Sequence, residues 1–428
     1  MQIILKNSPQ YQKRIASLRR SFEPDAKVRK SVERILADVR GSGDRALLRL
    51  TKKFGGPKLT ASELYVTPAE LAAASATVAP KTNKAIEAAR RNVLAFARKG
   101  LRKSWFRKNA QGGIVGERFD PFQRVGIYIP GGTAPLVSTA VMTCTLAAAA
   151  GVPEIVAVTP CGADGKIHPA LLAALSACGA TEVYRVGGAQ AVAALAYGTK
   201  TIRPVQKIFG PGNAFVVEAK RQVFGKVAID LLPGPSEVLV IADAGANPEW
   251  VAADLLAQCE HGHGSAGVLL TPSRGLINKV SKSLTKQITK SSRGKFLAMA
   301  LENTALVEVG DIGDAVRLAN DYAAEHVSIA AADPGQIALG LTTAGAIFLG
   351  GLSPVAVGDF LAGPSHELPT GGGGKSFPGL TADQFQRRTS ILLFDESVLR
   401  ASLPLVETFS EIEGLDAHAR SVALRLKS

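Results

Sequence analysis

Eight residues in four short polar patches have the types and spacing to do chemistry. Gln258 and His261 lie three apart, Glu325 directly precedes His326, Asp359 stands seven before His366, and Glu413 stands five before His418. The chain has only 6 histidines, so these patches hold most of them. Imidazole exchanges a proton near neutral pH and binds metal ions through either nitrogen. Histidines used for packing would scatter. The grouping points to one metal site plus an acid–base pair, and so to an enzyme.

Gln258 and His261 fall at the end of an expected helix, where a spacing of three puts them on one face. Gly262 and Gly264 then break that helix, and His263 between them makes a competing His-x-His pair. An amide oxygen and an imidazole at a helix end suit zinc or a similar divalent ion. Cys259 reads as a small buried residue on the back of the helix. Glu325 and His326 open an expected strand, where neighbours point to opposite faces. Such a pair can still address different atoms of one ligand, with His326 as base and Glu325 activating water. Asp359 and His366 lie in a Gly/Pro-rich stretch, 351–380, of the irregular kind that is often functional. Ser236 stands at the junction of two α/β units, where clefts form.

The elements that must position these groups follow from periodicity. Residues 24–100 show helical spacing over Val28–Val39, Asp44–Phe54 and Pro68–Ala97. From Val125 short β-rich runs alternate with Ala-rich helical runs. Strands are expected at Val125–Ile129, Glu154–Val158, Glu182–Val186, Gln206–Phe209 and Val227–Leu231, with helices at 135–150, 168–178, 189–197 and 213–224. A second series places strands at Val238–Ile241, Gly267–Leu270, Ala305–Val307, Val327–Ala330 and Ala346–Leu349. Its helices are expected at 247–258, 275–290, 311–321 and 334–340. Such alternation calls for parallel sheets with right-handed crossovers. The fold class is therefore α/β, with two Rossmann-like parallel-sheet domains lacking the GxGxxG fingerprint. The expected organisation is an N-terminal arm (1–22), a discontinuous α/β domain (23–127 with 237–380), an inserted α/β domain (128–236) and a helical C-terminal tail (381–428). The helical region before Val125 is expected to pack on the second series.

In the first series, strand ends run into the glycine turns Pro130-Gly131-Gly132, Gly187-Gly188-Ala189-Gln190 and Gly210-Pro211-Gly212-Asn213. Open parallel sheets bind ligands at the carboxyl ends of their strands, and helix N-termini attract phosphates. A nucleotide site is plausible there, against the plainer reading of tight turns with helix caps.

Composition narrows the class. The 428 residues are 46% hydrophobic and 20% charged, normal for a globular protein with more than one core. The net charge of +14 is uneven: residues 1–130 hold 27 Lys and Arg against 10 Asp and Glu, and the rest hold 23 against 26. The basic third lacks interleaved aromatics, so a solvated helical surface is favoured over nucleic-acid binding. A stretch with Lys279, Lys282, Lys286 and Lys290 reads as an amphipathic helix with a wet basic face. The longest apolar run, Val137 to Val152, is too short and too interrupted to span a membrane. Met1 to Gln10 lacks a signal-peptide pattern, so a cytoplasmic location is expected. The 4 cysteines show no CxxC spacing and no disulfide framework.

Taken together, the motifs resemble the histidinol dehydrogenase family over roughly residues 20–420 and in the family's order. They are Tyr128-Ile-Pro-Gly-Gly, Val186-Gly-Gly-Ala-Gln190, Gly210-Pro-Gly-Asn213, Gly234-Pro-Ser236-Glu-Val, Gln258-Cys-Glu-His261, Ala324-Glu325-His326, Gly358-Asp359 and His366-Glu-Leu-Pro-Thr. The resemblance implies a zinc-dependent, NAD-linked oxidation of L-histidinol through histidinaldehyde to L-histidine, the last steps of histidine biosynthesis. It implies that Gln258, His261, Asp359 and His418 bind zinc, and that Glu325 and His326 are the acid–base pair. Ser236, His366 and Glu413 would contact substrate, together with His326 and the zinc ligands. Tyr128, Gln190 and Asn213 would contact NAD. It also implies a homodimer whose C-terminal tail reaches the partner's site. The rival readings are a related zinc and NAD dehydrogenase of another small alcohol, and a zinc hydrolase using Glu325 as base. Retention of Ser236, His366 and Glu413 argues for histidinol.

Overall fold

The computed structural model describes residues 1–20, 25–131, 135–262, 264–291 and 293–427. Gly132 of the first glycine turn, the end of the N-terminal arm and His263 lie outside the described residues. The chain opens with strand β1 (Gln2–Ile4) and helix α1 (Tyr11–Ser17). Helices α2 (Ala26–Ser42), α3 (Asp44–Lys53), α4 (Pro68–Thr77) and α5 (Pro80–Gly100) follow. Asp25 caps α2 by accepting from the Lys27 amide at 2.7 Å. The single helix expected over 68–97 is two, because Pro80 cannot donate to a preceding turn and holds Ala79 in an extended conformation.

Strands β2 (Trp105–Lys108) and β3 (Ile114–Pro121) come next. The first alternating series is β4 (Arg124–Tyr128), α6 (Val137–Ala149), β5 (Glu154–Thr159), α7 (Pro169–Ala177), β6 (Glu182–Arg185), α8 (Gly188–Tyr197), β7 (Lys207–Phe209), α9 (Ala214–Val223) and β8 (Ala228–Ile229). The second is β9 (Glu237–Ala242), α10 (Pro248–Cys259), β10 (Ala266–Thr271), α11 (Arg274–Ile288), α12 (Gly294–Ala300), β11 (Ala305–Glu308), α13 (Ile312–Tyr322), β12 (His326–Ala330), α14 (Pro334–Leu339), β13 (Ala346–Leu349) and α15 (Val355–Phe360). Strand β14 (Gln386–Leu393) and helices α16 (Glu396–Glu413) and α17 (Asp416–Leu424) end the chain.

Two parallel sheets result, as the alternation requires. One is five-stranded in the order β6-β5-β4-β7-β8, and the other six-stranded in the order β1-β11-β10-β9-β12-β13. Three features differ from expectation. Residues 2–4 are not a free arm, because β1 pairs in parallel with β11, Ile4 against Val307. Residues 386–393 are not helical: β14 pairs antiparallel with β3, which also pairs β2, in a small third sheet. None of its residues is buried, so it gives only a weak strand signal in the sequence.

The third difference concerns helices α2–α5, which pack on the first series. The α2 stripe of Val32, Ile35, Leu36 and Val39 shares a core with Val156, Val158 and, on α8, Ala189 and Ala191–Ala196. Ile86, Ala89, Val93 and Ala97 of α5 share another with α6 and α7. The reason is that α6, α7 and α8 are apolar all round. A helix with no polar face must be covered on its outer side as well as against the sheet. Among the described residues no helix is long and apolar enough to cross a membrane.

Candidate active site

Five of the eight expected site residues come together at the amino ends of strands in the six-stranded sheet, and Gln258 stands three residues before one of them, His261. β9 and β12 are neighbours, with His326 in register with Val238. This sets the buried Glu325–His326 pair beside the first residue of β9, Glu237. The Glu237 amide donates to Glu325 Oε2 at 2.8 Å, and the Glu237 carbonyl lies 3.1 Å from His326 Nδ1. A carbonyl only accepts, so Nδ1 carries a proton and Nε2 is the nitrogen turned to chemistry. Nε2 lies 3.5 Å from Asp359 Oδ1, and Nδ1 lies 3.5 Å from Glu325 Oε2. Burial is the largest influence on His326 and lowers its pKa, but Glu325 and Asp359 together outweigh it and hold the pKa raised. Burial pushes the Glu325 pKa up, well above the usual carboxylate range, although His326 opposes it.

Asp359 is on α15, and its backbone carbonyl lies 2.8 Å from Nδ1 of His366. His366 Nε2 is 3.6 Å from Glu367 Oε1. Burial alone would lower the His366 pKa, and Glu367 and Asp359 raise it. Gln258 sits in the last turn of α10 and is 1% exposed. Its Oε1 is buried with no hydrogen-bond partner. His261 lies in the turn after α10, accessible at the mouth of the site. Desolvation by nearby protein lowers its pKa; Asp359 opposes this, while His326 and His366 add to it. These couplings bring His261 near Asp359, His326 and His366. Ser236 is half-buried just before β9. Its side chain makes no hydrogen bond among the described residues, while its carbonyl accepts from the Ala266 amide at 3.1 Å.

Glu413 and His418 are not brought into this cluster. Both are exposed on the C-terminal helices, and neither side chain bonds to the other six residues. Among the described residues of one chain, no group of three or more His, Cys, Asp or Glu is placed to hold a metal ion.

The three expected cofactor contacts meet elsewhere, at the carboxyl ends of strands in the five-stranded sheet. A cleft of about 870 Å³ is lined there by Tyr128, Gly131, Gly188, Gln190, Arg185 and Asn213, among others. The Tyr128 hydroxyl accepts from the Gly188 amide at 3.0 Å, at the start of α8. Asn213 Oδ1 caps α9 by accepting from the amides of Phe215 and Val216 at 3.0 and 3.2 Å. Two helix N-termini therefore bring their positive ends to one cleft. Gln190 is 4% exposed, and its Oε1 has no hydrogen-bond partner.

Sequence reading missed the charged residues that hold these loops. Gly210 has φ +108° and sits where a Cβ would meet the Tyr128 carbonyl, so only glycine fits this turn. Its amide donates to Asp230 Oδ2 at 2.7 Å, and its carbonyl accepts from Lys220 Nζ at 2.8 Å. Lys220 and Asp230 pair with each other, both almost fully buried. A lysine amid helical polar residues carries no sign that it folds inward. Glu237, adjoining Ser236 in the quoted motif, was the one such residue with a sequence signal.

Comparison with known proteins agrees with this geometry. The profile of the histidinol dehydrogenase family matches residues 18–426. The histidinol dehydrogenase of Geobacillus kaustophilus (strain HTA426) is 41% identical over 96% of this chain and 97% of its own length. That of Rhodopseudomonas palustris (strain ATCC BAA-98 / CGA009) is 45% identical over 94% of each. The crystal structure of histidinol dehydrogenase from Elizabethkingia anophelis superposes with a TM-score of 0.94 at 34% identity, covering 100% of this chain and 98% of that one. The chain belongs to the histidinol dehydrogenase family.

Proposed function

We propose that the protein oxidises L-histidinol through L-histidinaldehyde to L-histidine, using two NAD in turn and one zinc ion per subunit. The observation that carries the reading is the buried Glu325–His326 pair, oriented by the Glu237 main chain, beside Asp359, His261 and the orphaned Gln258 Oε1. Leaving a buried acceptor unmade costs about 1–3 kcal/mol, which a cation at Gln258 would relieve. Amide oxygen, carboxylate and imidazole donors suit zinc. His261, Gln258 and Asp359 would hold it from one chain and the partner's His418 would complete the set. The orphaned Gln190 Oε1 and the two helix N-termini likewise suit NAD, with Tyr128 and Asn213 beside it.

When bound, zinc would orient the substrate imidazole and amine, and NAD would accept hydride. The chain's own residues would do the rest. His326 Nε2 would take the hydroxyl proton as the alcohol is oxidised. Glu325, held near neutral pKa by burial, would take a proton from the water that attacks the aldehyde. As a zinc ligand, Asp359 would no longer hold a proton on His326 Nε2, which would leave that nitrogen able to accept one. Ser236, His366 and the partner's Glu413 would hold the substrate.

The test is NADH release from L-histidinol by the zinc-loaded enzyme. Two NADH per histidinol consumed, lost on chelation and restored by zinc, is the expected result. One NADH per molecule, or no turnover, would overturn the reading.

A further inference from the structure

Arg20 and Glu237 meet where three loops of the active site converge. The Glu237 side chain is fully buried, while its main chain holds both Glu325 and His326. Its carboxylate accepts from the Gly371 amide, 3.2 Å from each oxygen, five residues after His366. Arg20 Nη1 lies 3.3 Å from Glu237 Oε1, with the arginine side chain 17% exposed. The other guanidinium nitrogen, Nη2, donates to the carbonyl of Gly264, three residues after His261. Burying two charges costs several kcal/mol, and apolar residues would join a strand to a loop more cheaply. What an apolar residue cannot do is fix main-chain groups of several loops at set distances.

We propose that Arg20 and Glu237 are positioning residues of the reaction, whose ion pair fixes the loops carrying His261 and His366 against the strand start that orients Glu325 and His326. The proposal rests on the histidinol-oxidising reading of that site. The N-terminal segment, which has no chemistry of its own, thereby sets the geometry of four site residues. Loosening those loops misplaces reacting groups, and a shift of about 1 Å costs about 100-fold in rate.

The test uses the full-length, zinc-loaded enzyme. Arg20→Met is expected to lower kcat for L-histidinol about 100-fold, with the KM for NAD within about twofold because the cofactor cleft lies on the other sheet. Its zinc affinity is expected to fall about 10-fold, as for other residues that orient metal ligands. Arg20→Lys, which restores a charge beside Glu237, should recover part of kcat. Glu237→Gln keeps an acceptor for Gly371 and should lower kcat in the same way, so it serves if Arg20→Met does not fold. The proposal falls if kcat and zinc affinity of the folded variants stay within about threefold of wild type. It falls equally if activity drops only in step with folded protein. Should wild type fail to oxidise histidinol, the functional reading fails, and the zinc affinity of Arg20→Met still tests the ion pair.

Discussion

His326 sits between a carbonyl facing one ring nitrogen and a carboxylate facing the other. Glu325 next to it has a different duty, since its Oε2 is already fixed by an amide. The two oxidations can therefore be separated. Glu325→Gln keeps the hydrogen bond from Glu237 but cannot accept a proton from water. It should oxidise histidinol to the aldehyde and stall, giving one NADH per histidinol in a stopped-flow burst, with the steady-state rate down about 100-fold or more. Two NADH at an unchanged rate would place the base elsewhere. At this scale the sequence pointed to side chains whose types could do chemistry, such as Glu325 and His326. It was silent on Arg20 and marked Glu237 only as a neighbour of Ser236, since both hold main-chain atoms brought together only by the fold.

The strands of the five-stranded sheet begin at an ion cluster. Arg124, at the start of β4, donates twice to Glu182 at 2.7 and 2.8 Å and once to Glu154 at 2.6 Å. These bonds lower the Glu182 pKa to about 2. A folded pKa below the unfolded value of about 4.3 means that the stability is fully present above about pH 4.3. It is lost as pH falls towards 2. Urea titrations of wild type and Glu182→Gln should therefore differ most near neutrality and converge in acid; a constant gap would refute the linkage. At the other end of the sheet, Lys220→Met would strand Asp230 in the core. It should cost about 3–5 kcal/mol in urea unfolding and raise the KM for NAD by slackening the Gly210–Asn213 loop. Alternation of β-rich and Ala-rich runs made both parallel sheets legible. The layer covering them was misread, because the apolar outer faces of α6–α8 were counted only as core for the sheet below.

The whole molecule sets its two groups of candidate residues on opposite kinds of sheet edge, amino ends for Glu325 and His326 and carboxyl ends for Tyr128, Gln190 and Asn213. The tail belongs to neither. Leu405, Phe409 and Ile412 on α16 are exposed at spacings of four and three, one apolar face with no cover in this chain. Its position near Glu413 and His418 fits a tail that docks on a partner. Phe409→Ser with Ile412→Ser should shift the enzyme towards monomer in sedimentation and lower bound zinc together with activity. A zinc-replete, active monomer would show that one chain suffices. The sequence held no sign of β14, which anchors the tail to β3.

Among the described residues strand β1 pairs with β11, so a segment made roughly 300 residues earlier finds its seat only after Val307 has emerged. During synthesis that edge of the sheet stays open while roughly 300 further residues are added, a window of about 15–60 s at ordinary elongation rates. Arg20, a short way beyond β1, waits with it for Gly371. A nascent chain stopped before Val307 would hold a complete five-stranded sheet beside an unfinished six-stranded one.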